Sequence, residues 1–518
     1  MARTTRPRQL LIAAIANVTA LVLIAGCGGS DIGEAADGGG TTERPVEAGP
    51  AGVDSSTGAT VPGAQDPATG GAAPAAGSST AAPQAPGQNG AASGNTAGSS
   101  GEADKGNKAA APARSAVETM VANHPIFGGT GACKPATLSE IPIGNVSTLS
   151  GVLGELLSPA RSALEVFVAS QNACGGLNGH RIKLYIEDDQ GDPSTASSKA
   201  QNLIQSKKVL AFVGNVQFLT IDAVVPIVKK YGIPIIGGDI VSDTWFTNPL
   251  LFPQGSPGAA AAYGYLKGAT EYFHSTKIGD IWCIEVPRAC EQNDRMLKEL
   301  APGFGATVLK SLQASITAPS YVQQCLEFKN AGVEVLALLI DAASMVRMAR
   351  SCEQVGYFPK ILPTPAGVGS QKQFLTGNKW LGNSYVPTQY FPWFANETPA
   401  QKYWQASLRK YAPGADIGAS ASAGWMAGAL LVAAAAELSP TNPTTADLLK
   451  GLYAFKGQKW TGLGGLAGPR TFIEGSTPRV PYCLFAAISN STNTGWASAV
   501  NTPQCTDVLA PSDPQNHR

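Results

Sequence analysis

The sequence predicts an α/β fold made of two lobes, each with a parallel sheet flanked by helices. Short apolar runs alternate with segments of helical periodicity between residues 141 and 238, and the same alternation starts again at residue 277. Strands that are separated by helices need crossover connections, and crossovers make neighbouring strands parallel. Residues 245–256 interrupt the alternation with Asn248-Pro249 and Pro253, so this stretch is predicted to lead out of the first lobe.

The first series opens with the apolar run IPIGNVS at residues 141–147, followed by a helix at 153–171 whose apolar positions recur mostly at steps of three, four or seven. Further strands are predicted at 181–190, 209–215 and 233–238, and further helices at 194–206 and 220–230. Residues 147–151, 214–220 and 237–242 lie at the carboxyl ends of strands. In a parallel sheet these loops form the natural crevice for a ligand.

The second series has the same order of elements. Its strands are predicted at residues 277–286, 307–313, 333–340 and 360–365, and its helices at 257–273, 292–300, 321–330 and 342–355. A strand-like passage at 380–391, helices at 399–411, 421–438 and 445–453, and a terminal strand at 480–489 follow. The helix at 421–438 is almost long enough for a membrane, but its flanking loops and its Ala/Gly content favour a buried helix. Two lobes of this kind leave a cleft between them.

The first 27 residues have the pattern of an export signal. Arg3, Arg6 and Arg8 precede an apolar run at residues 10–25, which is shorter than a membrane-spanning helix. The run ends at Gly26-Cys27 in residues that resemble a bacterial lipobox, which makes Cys27 the predicted lipidated first residue of the mature protein. A simple membrane helix is the alternative. Cleavage removes three arginines from a chain of net charge 0, and 0 − 3 gives −3.

Residues 28–125 are predicted to be a disordered tether. Up to about residue 114 they consist mainly of Gly, Ala, Ser, Thr and Pro, and so few large apolar side chains cannot offset the entropy of ordering the segment. The remaining chain is long enough for two α/β lobes. The 37 basic and 37 acidic residues show no basic stripe, so nucleic acid is not an expected partner.

Eight cysteines remain besides Cys27, and an even number in an exported chain favours disulfides. Eight cysteines allow many connectivities. Chain order favours four pairs, namely Cys133 with Cys174, Cys283 with Cys290, Cys325 with Cys352 and Cys483 with Cys505. Metal binding is the rival interpretation, but no Cys-x-x-Cys occurs and the four histidines are scattered, so neither a metal nor a cofactor is expected.

Several sequence segments resemble those of type I periplasmic binding proteins, in particular the branch that binds leucine, isoleucine, valine, amides and related solutes for ABC importers. They are NACGGLNGHRIKLYIEDDQGDPSTA (172–196), FVGN (212–215), YGIPIIG (231–237), VEVLALLIDAASMVRMARSCEQVGY (333–357) and TFIEGSTPRVPYCLFAAI (471–488). The resemblance extends over residues 139–499. It implies two Rossmann-like lobes with three crossings, which would fall near Ser256, Thr388 and Gly457.

The crossings imply discontinuous lobes. The first lobe would comprise residues 126–256 and 388–456, and the second would comprise 257–387 with a lobe or hinge segment at 457–505, before a C-terminal tail at 506–518. In the resembled family, loops after the first, third and fourth strands hold a ligand carboxylate. The matching positions here are Ser150, Gly151, Phe218, Thr220, Asp239, Ile240 and Val241.

Three of the implied site features have alternatives. Ser150 lies at a helix start, where free N–H groups attract anions, but it also suits a simple helix cap. Asp239 would repel an anion, which favours a neutral or cationic ligand. Amino-acid binders place a carboxylate after the strand that matches residues 360–365, where this chain has Thr364; Asp341 is a substitute, or the cap of the next helix. Two aromatic residues, Trp245 and Tyr390, are candidates for contact with an apolar ligand or for core packing.

Together with the N-terminal export signal, the resemblance implies a lipid-anchored, monomeric solute-binding protein on the extracytoplasmic face of the cell membrane. It would capture an amino-acid-like, amide or related solute and deliver it to an ABC transporter permease. The alternatives are a ligand-sensing lipoprotein that works with a membrane receptor or kinase, and an extracellular hydrolase. A Gly-x-Ser-x-Gly elbow is absent and no histidine is placed beside a nucleophile in a strand-end loop, so the chain is predicted not to be an enzyme.

Overall fold

The computed structural model describes residues 115–455 and 462–516, all within one structural unit, Lys105–Arg518. The predicted signal peptide with Cys27, the tether up to residue 114 and the predicted crossing near Gly457 lie outside the described residues. Three sheets are present in the described part of the chain. Two of them are parallel and flanked by helices, which confirms the predicted α/β fold.

The first sheet has the strand order β2-β1-β3-β4-β5, and every pair in it is parallel. Its strands are β1 (Leu138–Ser147), β2 (His180–Asp188), β3 (Phe212–Asn215), β4 (Ile235–Gly238) and β5 (Leu251–Phe252). β5 lies in the passage that was predicted to be irregular, because two residues are too few to show a period. The strand order reverses between β1 and β3, so a crevice forms at the carboxyl ends there.

The second sheet has the order β7-β6-β8-β9 and is also parallel throughout. Its strands are β6 (Lys277–Cys283), β7 (Thr307–Ala314), β8 (Val335–Leu339) and β9 (Lys360–Pro363). β8 is buried along its whole length, as expected for a central strand covered by helices on both faces. Its strand order reverses between β6 and β8, which makes a second crevice at the carboxyl ends.

The third sheet is antiparallel, with the order β10-β11-β12. Its strands are β10 (Tyr385–Thr388), β11 (Tyr482–Ser489) and β12 (Trp496–Thr506). β11 was predicted, whereas β12 was not, because no residue of β12 is fully buried and its sequence therefore lacks apolar alternation. Tyr385 and Leu484 of this sheet share a hydrophobic core with Leu362 of the second sheet.

Besides a kinked helical turn at Gly462–Gly465, the described part of the chain contains twelve α-helices. They are α1 (Ala116–Asn123), α2 (Gly151–Asn172), α3 (Pro193–Gln205), α4 (Ile221–Tyr231), α5 (Ala260–Lys267), α6 (Pro287–Leu300), α7 (Val322–Asn330), α8 (Ala342–Gln354), α9 (Gln371–Phe374), α10 (Pro399–Tyr411), α11 (Ala419–Ala434) and α12 (Thr445–Tyr453). Most match the predicted bounds within a few residues. The predicted helix at 257–273 becomes α5 followed by a π turn at Gly268–Tyr272. α6 starts at Pro287, five residues before the predicted start at Gln292.

α11 is the central helix of the first sheet's core. The stretch Ala419–Glu437 is long and apolar enough to cross a membrane, but 89% of its apolar window is buried within the fold, as predicted. Gly424 and Gly428 let it approach α2 closely, since an added Cβ would lie 2.2 Å from the Ala160 carbonyl oxygen and 2.3 Å from the Phe167 ring. Small residues at this crossing therefore set the distance between the two helices.

Both ends of the described chain are folded further than the sequence predicted. α1 lies within the segment assigned to the tether, begins with a capping box of Ser115 and Glu118, and buries Val117. The segment assigned to a C-terminal tail buries Ala510 and Asp513, and Asp513 accepts a hydrogen bond from the Tyr482 hydroxyl. One short helix and a few buried tail residues carry too weak a periodic signal to be found from composition.

The four predicted disulfides are present. The pairs are Cys133–Cys174, Cys283–Cys290, Cys325–Cys352 and Cys483–Cys505. Cys325–Cys352 joins α7 to α8, and Cys483–Cys505 joins directly paired positions of β11 and β12. The Cys283–Cys290 bridge closes a short loop between the end of β6 and α6.

Candidate functional site

Two adjoining cavities lie between the carboxyl ends of the two parallel sheets, with volumes of about 100 and 90 Å³. The first sheet contributes the loops after β3 and β4, and the second sheet contributes the loops after β6, β8 and β9. Five residues line both cavities, namely Phe218, Val241, Asn293, Thr364 and Ala366. The crevices of the two sheets thus face each other across one cleft, as expected for ligand sites in parallel sheets.

The cleft is mainly apolar. The remaining residues of the first cavity are Leu156, Cys283, Val286, Ala289, Cys290, Ile316, Leu339, Ile340, Asp341 and Gly367. Those of the second are Leu157, Ala160, Val216, Asp239, Gly258, Ala261, Pro365, Gln389, Tyr390, Ala419, Ser420 and Ala423. Among these described lining residues the charged side chains are two aspartates, and none is Lys, Arg or His. Such a lining suits a largely apolar solute that is oriented by a few polar groups.

Asp239 follows β4 directly and is the most perturbed acid of the cleft. Its carboxylate accepts hydrogen bonds from the Gln217 N–H at 2.6 Å, the Trp245 Nε1–H at 2.9 Å and the Val241 N–H at 3.3 Å. Burial raises the pKa of Asp239 to about 6, against these hydrogen bonds, which lower it. The carboxyl group is therefore held in place by the first sheet, and its pKa of about 6 lies well above that of an ordinary aspartate.

The turn that presents Asp239 contains a strained residue. Ile240 has a φ of 44°, a conformation that β-branched residues rarely adopt. Its side chain is buried, and it is absent from the lining of both cavities. The turn directs Asp239 and Val241 toward the second cavity. Strain of this kind is maintained where the surrounding structure fixes a functional geometry.

Two other predicted site residues lie beneath the cleft rather than on its surface. Trp245 is fully buried, and its indole N–H holds the Asp239 carboxylate. Thr220 is fully buried too, and its hydroxyl donates to Asp189 Oδ2 at 2.6 Å, while Thr148 donates to Asp189 Oδ1 at 2.7 Å. Both residues position the loops after β3 and β4.

Ser150 and Gly151 are exposed and are not among the lining residues of the two cavities. Ser150 occupies the cap position of α2, but its side chain makes no capping hydrogen bond, and Gly151 has a φ of 70°. The Leu149 N–H just before them donates to Asp188 Oδ1 at 2.9 Å. The structure therefore leaves these two residues at the start of α2, outside the two cavities.

Phe218, Val241, Asp341, Thr364 and Tyr390 do line the cavities. Asp341 combines both predicted roles, since it faces the first cavity and also caps α8 by accepting the Ser344 N–H at 3.1 Å. Thr364 follows β9 directly, at the position where the resemblance led us to expect an acid in an amino-acid binder. Together with Asp239, the structure brings six of the predicted residues to one cleft.

Asn293 is a cleft residue that the sequence analysis missed. Its Nδ2 donates to the Gly258 carbonyl oxygen at 3.1 Å, which fixes the orientation of the amide, and its buried Oδ1 has no hydrogen-bond partner. Asn293 lies on α6. Ala289 and Cys290, in the first turn of α6, and Val286, just before the helix, line the first cavity as well. Proline is common at the first position of a helix, so Pro287 would have predicted a helix start close to the end of β6.

Polar contacts join the two halves at the rim of the cleft. Asp222 on α4 forms an ion pair with Arg288 on α6, and the Gln292 amide donates to Asp243. These contacts lie beside an open groove of about 700 Å³. Because both partners of the Asp222–Arg288 pair are more than half exposed, the pair contributes little to stability.

Metal chemistry has no visible basis in the described part of the chain. Across residues 115–455 and 462–516, no group of three or more His, Cys, Asp or Glu side chains could hold a metal ion. The residues that line the cleft offer hydrophobic contact and hydrogen bonding. Both are means of binding a solute.

Comparisons with known proteins agree with this geometry. The sequence model described as periplasmic binding protein matches residues 140–490. A comparison with curated proteins finds no match.

Many solved structures have the same fold. A fatty acid ABC transporter substrate-binding protein from Thermomonospora curvata is 17% identical, with a TM-score of 0.61 over 73% of this chain and 97% of the other. The branched-chain amino acid transporter substrate-binding protein of Streptococcus pneumoniae, in complex with isoleucine, is 16% identical, with a TM-score of 0.57 over 71% and 100%. An ABC transporter solute-binding protein of Rhodopseudomonas palustris, in complex with 3,4-dihydroxybenzoic acid, is 15% identical, with a TM-score of 0.58 over 73% and 99%.

The family match extends over more than half of the chain, and the two facing parallel sheets repeat the architecture of these structures. The chain belongs to the periplasmic binding protein family and has the fold of its type I members.

Proposed function

We propose that this protein is a lipid-anchored solute-binding protein that captures a small organic molecule in the cleft and delivers it to an ABC importer. The observation that carries the proposal is the apolar double cavity between the carboxyl ends of two facing parallel sheets. Capture at such a site needs no bond chemistry, only shape, a few placed polar groups and closure of the two halves.

The size of the solute is suggested by the family. The relatives described above are named for a fatty acid or were solved with isoleucine or 3,4-dihydroxybenzoic acid. Amino-acid-like molecules, amides and related solutes are of a similar scale. Thr364, in place of an acid after β9, argues against an α-amino acid as the preferred ligand, because the ammonium group would lack its usual partner there.

The lobe boundaries belong to the same proposal. Residues 388–456 are assigned to the first lobe because α10 and α11 share the core of the first sheet. The segment 457–505 is assigned to the second lobe or the hinge because β11 pairs with β10 and shares a core with the second sheet. Closure would then bend the chain near Ser256, Thr388 and Gly457.

The capture function is tested by a thermal-shift screen of amino acids, amides, ureas, polyamines and aromatic acids. A ligand at one hundred times its dissociation constant stabilises the folded state by about 2.7 kcal/mol. A hit must then also bind in isothermal titration calorimetry with one site per chain. A protein that binds no small molecule in a broad screen contradicts the proposed function.

The anchor makes a separate prediction at Cys27. Replacing Cys27 by Ala removes the thiol that would carry the lipid, so the protein is expected to move from the membrane fraction to the soluble extracytoplasmic fraction. Several acyl chains on one residue hold a protein stably at a membrane, and their loss leaves no comparable anchor. Fractionation followed by immunoblotting measures the change. Membrane association that persists in the variant contradicts the anchor, and Cys133→Ala paired with Cys174→Ala is the control.

Ligand sensing is the second candidate, since a sensor uses the same kind of cleft. A deletion of the partner permease distinguishes the two, because it abolishes uptake in a transport system and leaves a sensor's output intact. The hydrolase alternative has less support. Ser139 Oγ lies 3.1 Å from His180 Nδ1, but His180 Nε2 contacts the Ser439 carbonyl oxygen rather than a carboxylate, and neither residue lines the cleft.

A further inference from the structure

We propose that the cleft selects an apolar solute that carries no carboxylate and presents an N–H or O–H donor to Asp239 and Asn293. This inference rests on the proposed solute-binding function and names the chemical class of the solute. Three features of the cleft carry it, and each concerns a different part of the ligand.

The first feature is that the protein's own carboxylate occupies the donors that would hold an anion. Loops at the carboxyl ends of parallel strands attract anions through their free N–H groups. Here the Gln217 N–H after β3 and the Val241 N–H after β4 both donate to Asp239, at 2.6 and 3.3 Å. A ligand carboxylate would have to displace Asp239 or lie beside it, and like charges at short range repel.

The second feature is the absence of a compensating cation among the described lining residues. The buried guanidinium of Arg470 is near Tyr390, but Arg470 does not line either cavity. Its N–H groups donate to the carbonyl oxygens of Pro253 and Gly468, each at 3.0 Å. Asp189, behind Asp239, adds to the negative potential. Bringing an anion into this apolar space therefore has a desolvation cost that no lining charge offsets.

The third feature is an acceptor that lacks a donor. Asn293 Oδ1 is buried and unpartnered, while its amide nitrogen is committed to the Gly258 carbonyl. A buried acceptor without a hydrogen-bond partner destabilises the structure that holds it. Because Asn293 lines both cavities, an N–H or O–H group of a bound solute can remove this destabilisation. Asp239 offers a second acceptor in the adjoining cavity.

The apolar part of the solute is limited by the remaining volume. The cavities measure about 100 and 90 Å³ and share Phe218, Val241 and Ala366. An apolar protein cavity of about 150 Å³ holds one benzene ring. The cleft therefore has room for a six-membered ring with a short polar substituent, and this makes the benzyl compounds suitable probes.

The test compares one ring with four head groups. Isothermal titration calorimetry of the full chain at about pH 7.5 measures the affinity for benzyl alcohol, benzamide, benzylamine and benzoate. At least one of the three donor compounds is expected to bind tenfold or more tightly than benzoate. Benzoate that binds as tightly as the best donor compound overturns the inference but leaves the solute-binding function intact.

If none of the four probes binds, the inference is wrong, and the function is judged separately by hits from the broad screen. Two variants identify the responsible groups. Asp239→Asn is expected to shift the benzoate-to-benzylamine affinity ratio at least tenfold toward benzoate. Asn293→Leu is expected to weaken the best donor compound at least fivefold, whereas Asn202→Leu, on the exposed face of α3, leaves it unchanged.

The two variants keep the test decisive even if one of them is unstable. Asp239→Asn loses one of the hydrogen bonds around the carboxylate, so circular dichroism and the melting temperature are measured first. Where it fails to fold, the wild-type ranking and Asn293→Leu decide the outcome. An Asn293→Leu protein that is folded and retains full affinity for the donor compounds contradicts the assigned contact.

Discussion

Replacing Ala366 by Trp is expected to abolish solute binding while the protein remains folded. Ala366 lines both cavities and is only partly buried, at the start of a short turn after β9. An indole ring at this position would fill the space that the solute needs, and its partial exposure leaves the ring room to adjust. The affinity of the tightest hit from the screen is expected to fall at least one hundredfold, which equals about 2.7 kcal/mol.

The control for Ala366→Trp is Ala446→Trp. Ala446 is exposed on α12 and borders another groove, of about 860 Å³, formed with Tyr453 and Ile473. That groove is larger than the cleft, but it is open and lies apart from the strand ends of the two parallel sheets. Calorimetry of both variants decides between the sites. Loss of binding in Ala446→Trp, with binding retained in Ala366→Trp, would place the solute in the groove.

Replacing Asp239 by Asn is expected to change how stability depends on pH. The folded-state pKa of Asp239 is raised from 3.8 to about 6. The stabilising contribution of a group whose pKa is raised is fully present below about pH 4 and is lost as the pH rises through 6. The free energy of unfolding of the wild type, relative to Asp239→Asn, should therefore fall by about 2 kcal/mol between pH 4 and 7.

Urea denaturation at several pH values measures this difference. Asp192→Asn is a matched control with the opposite sign, because hydrogen bonds from Ser194 and Thr195 lower the pKa of the exposed Asp192 to about 2. The contribution of Asp192 is present above pH 4 and is lost on acidification, so it should not decline between pH 4 and 7. If the difference in the free energy of unfolding between the wild type and Asp239→Asn stays constant over this pH range, the carboxyl group is not desolvated.

The elements with strong local signals were predictable. α3 begins at Pro193 after Asp192, whose side chain accepts the Thr195 N–H at 2.7 Å. α10 begins with a capping box of Thr398 and Gln401. The order of apolar runs and helices was sufficient to predict parallel sheets, because crossover connections leave few alternatives. Cysteine order also gave the correct disulfides, because each bridge joins two cysteines that are consecutive in the sequence.

Elements that depend on tertiary contacts were missed. β12 pairs with β11 along one edge and remains partly exposed, so its sequence has no clear period. The start of α6 was placed five residues late, so its first turn, with the cleft residues Ala289 and Cys290, was not expected there. The strand before this helix was predicted to extend to residue 286, whereas β6 ends at Cys283 and α6 begins at Pro287.

The lining of the cavities was predictable at the level of loops but not of side chains. The rule that ligands lie at the carboxyl ends of parallel strands led to Phe218, Asp239, Asp341 and Thr364, all of which line the cavities. The resemblance also implied Thr220, and Trp245 was a candidate because of its aromatic ring, but both side chains face the interior. Which residue of a loop points into a cleft depends on backbone turns such as the positive φ of Ile240, and sequence periodicity carries no information about them.

The central claim is that a small solute binds between the carboxyl ends of the two parallel sheets. The most direct test is a crystal of the full chain grown with para-bromobenzyl alcohol, in which anomalous scattering locates the bromine. The account predicts a bromine peak in the cleft, in contact with Phe218 or Ala366 and with the hydroxyl group near Asn293. A peak in the groove beside Tyr453 and Ile473, with the cleft empty, would contradict it.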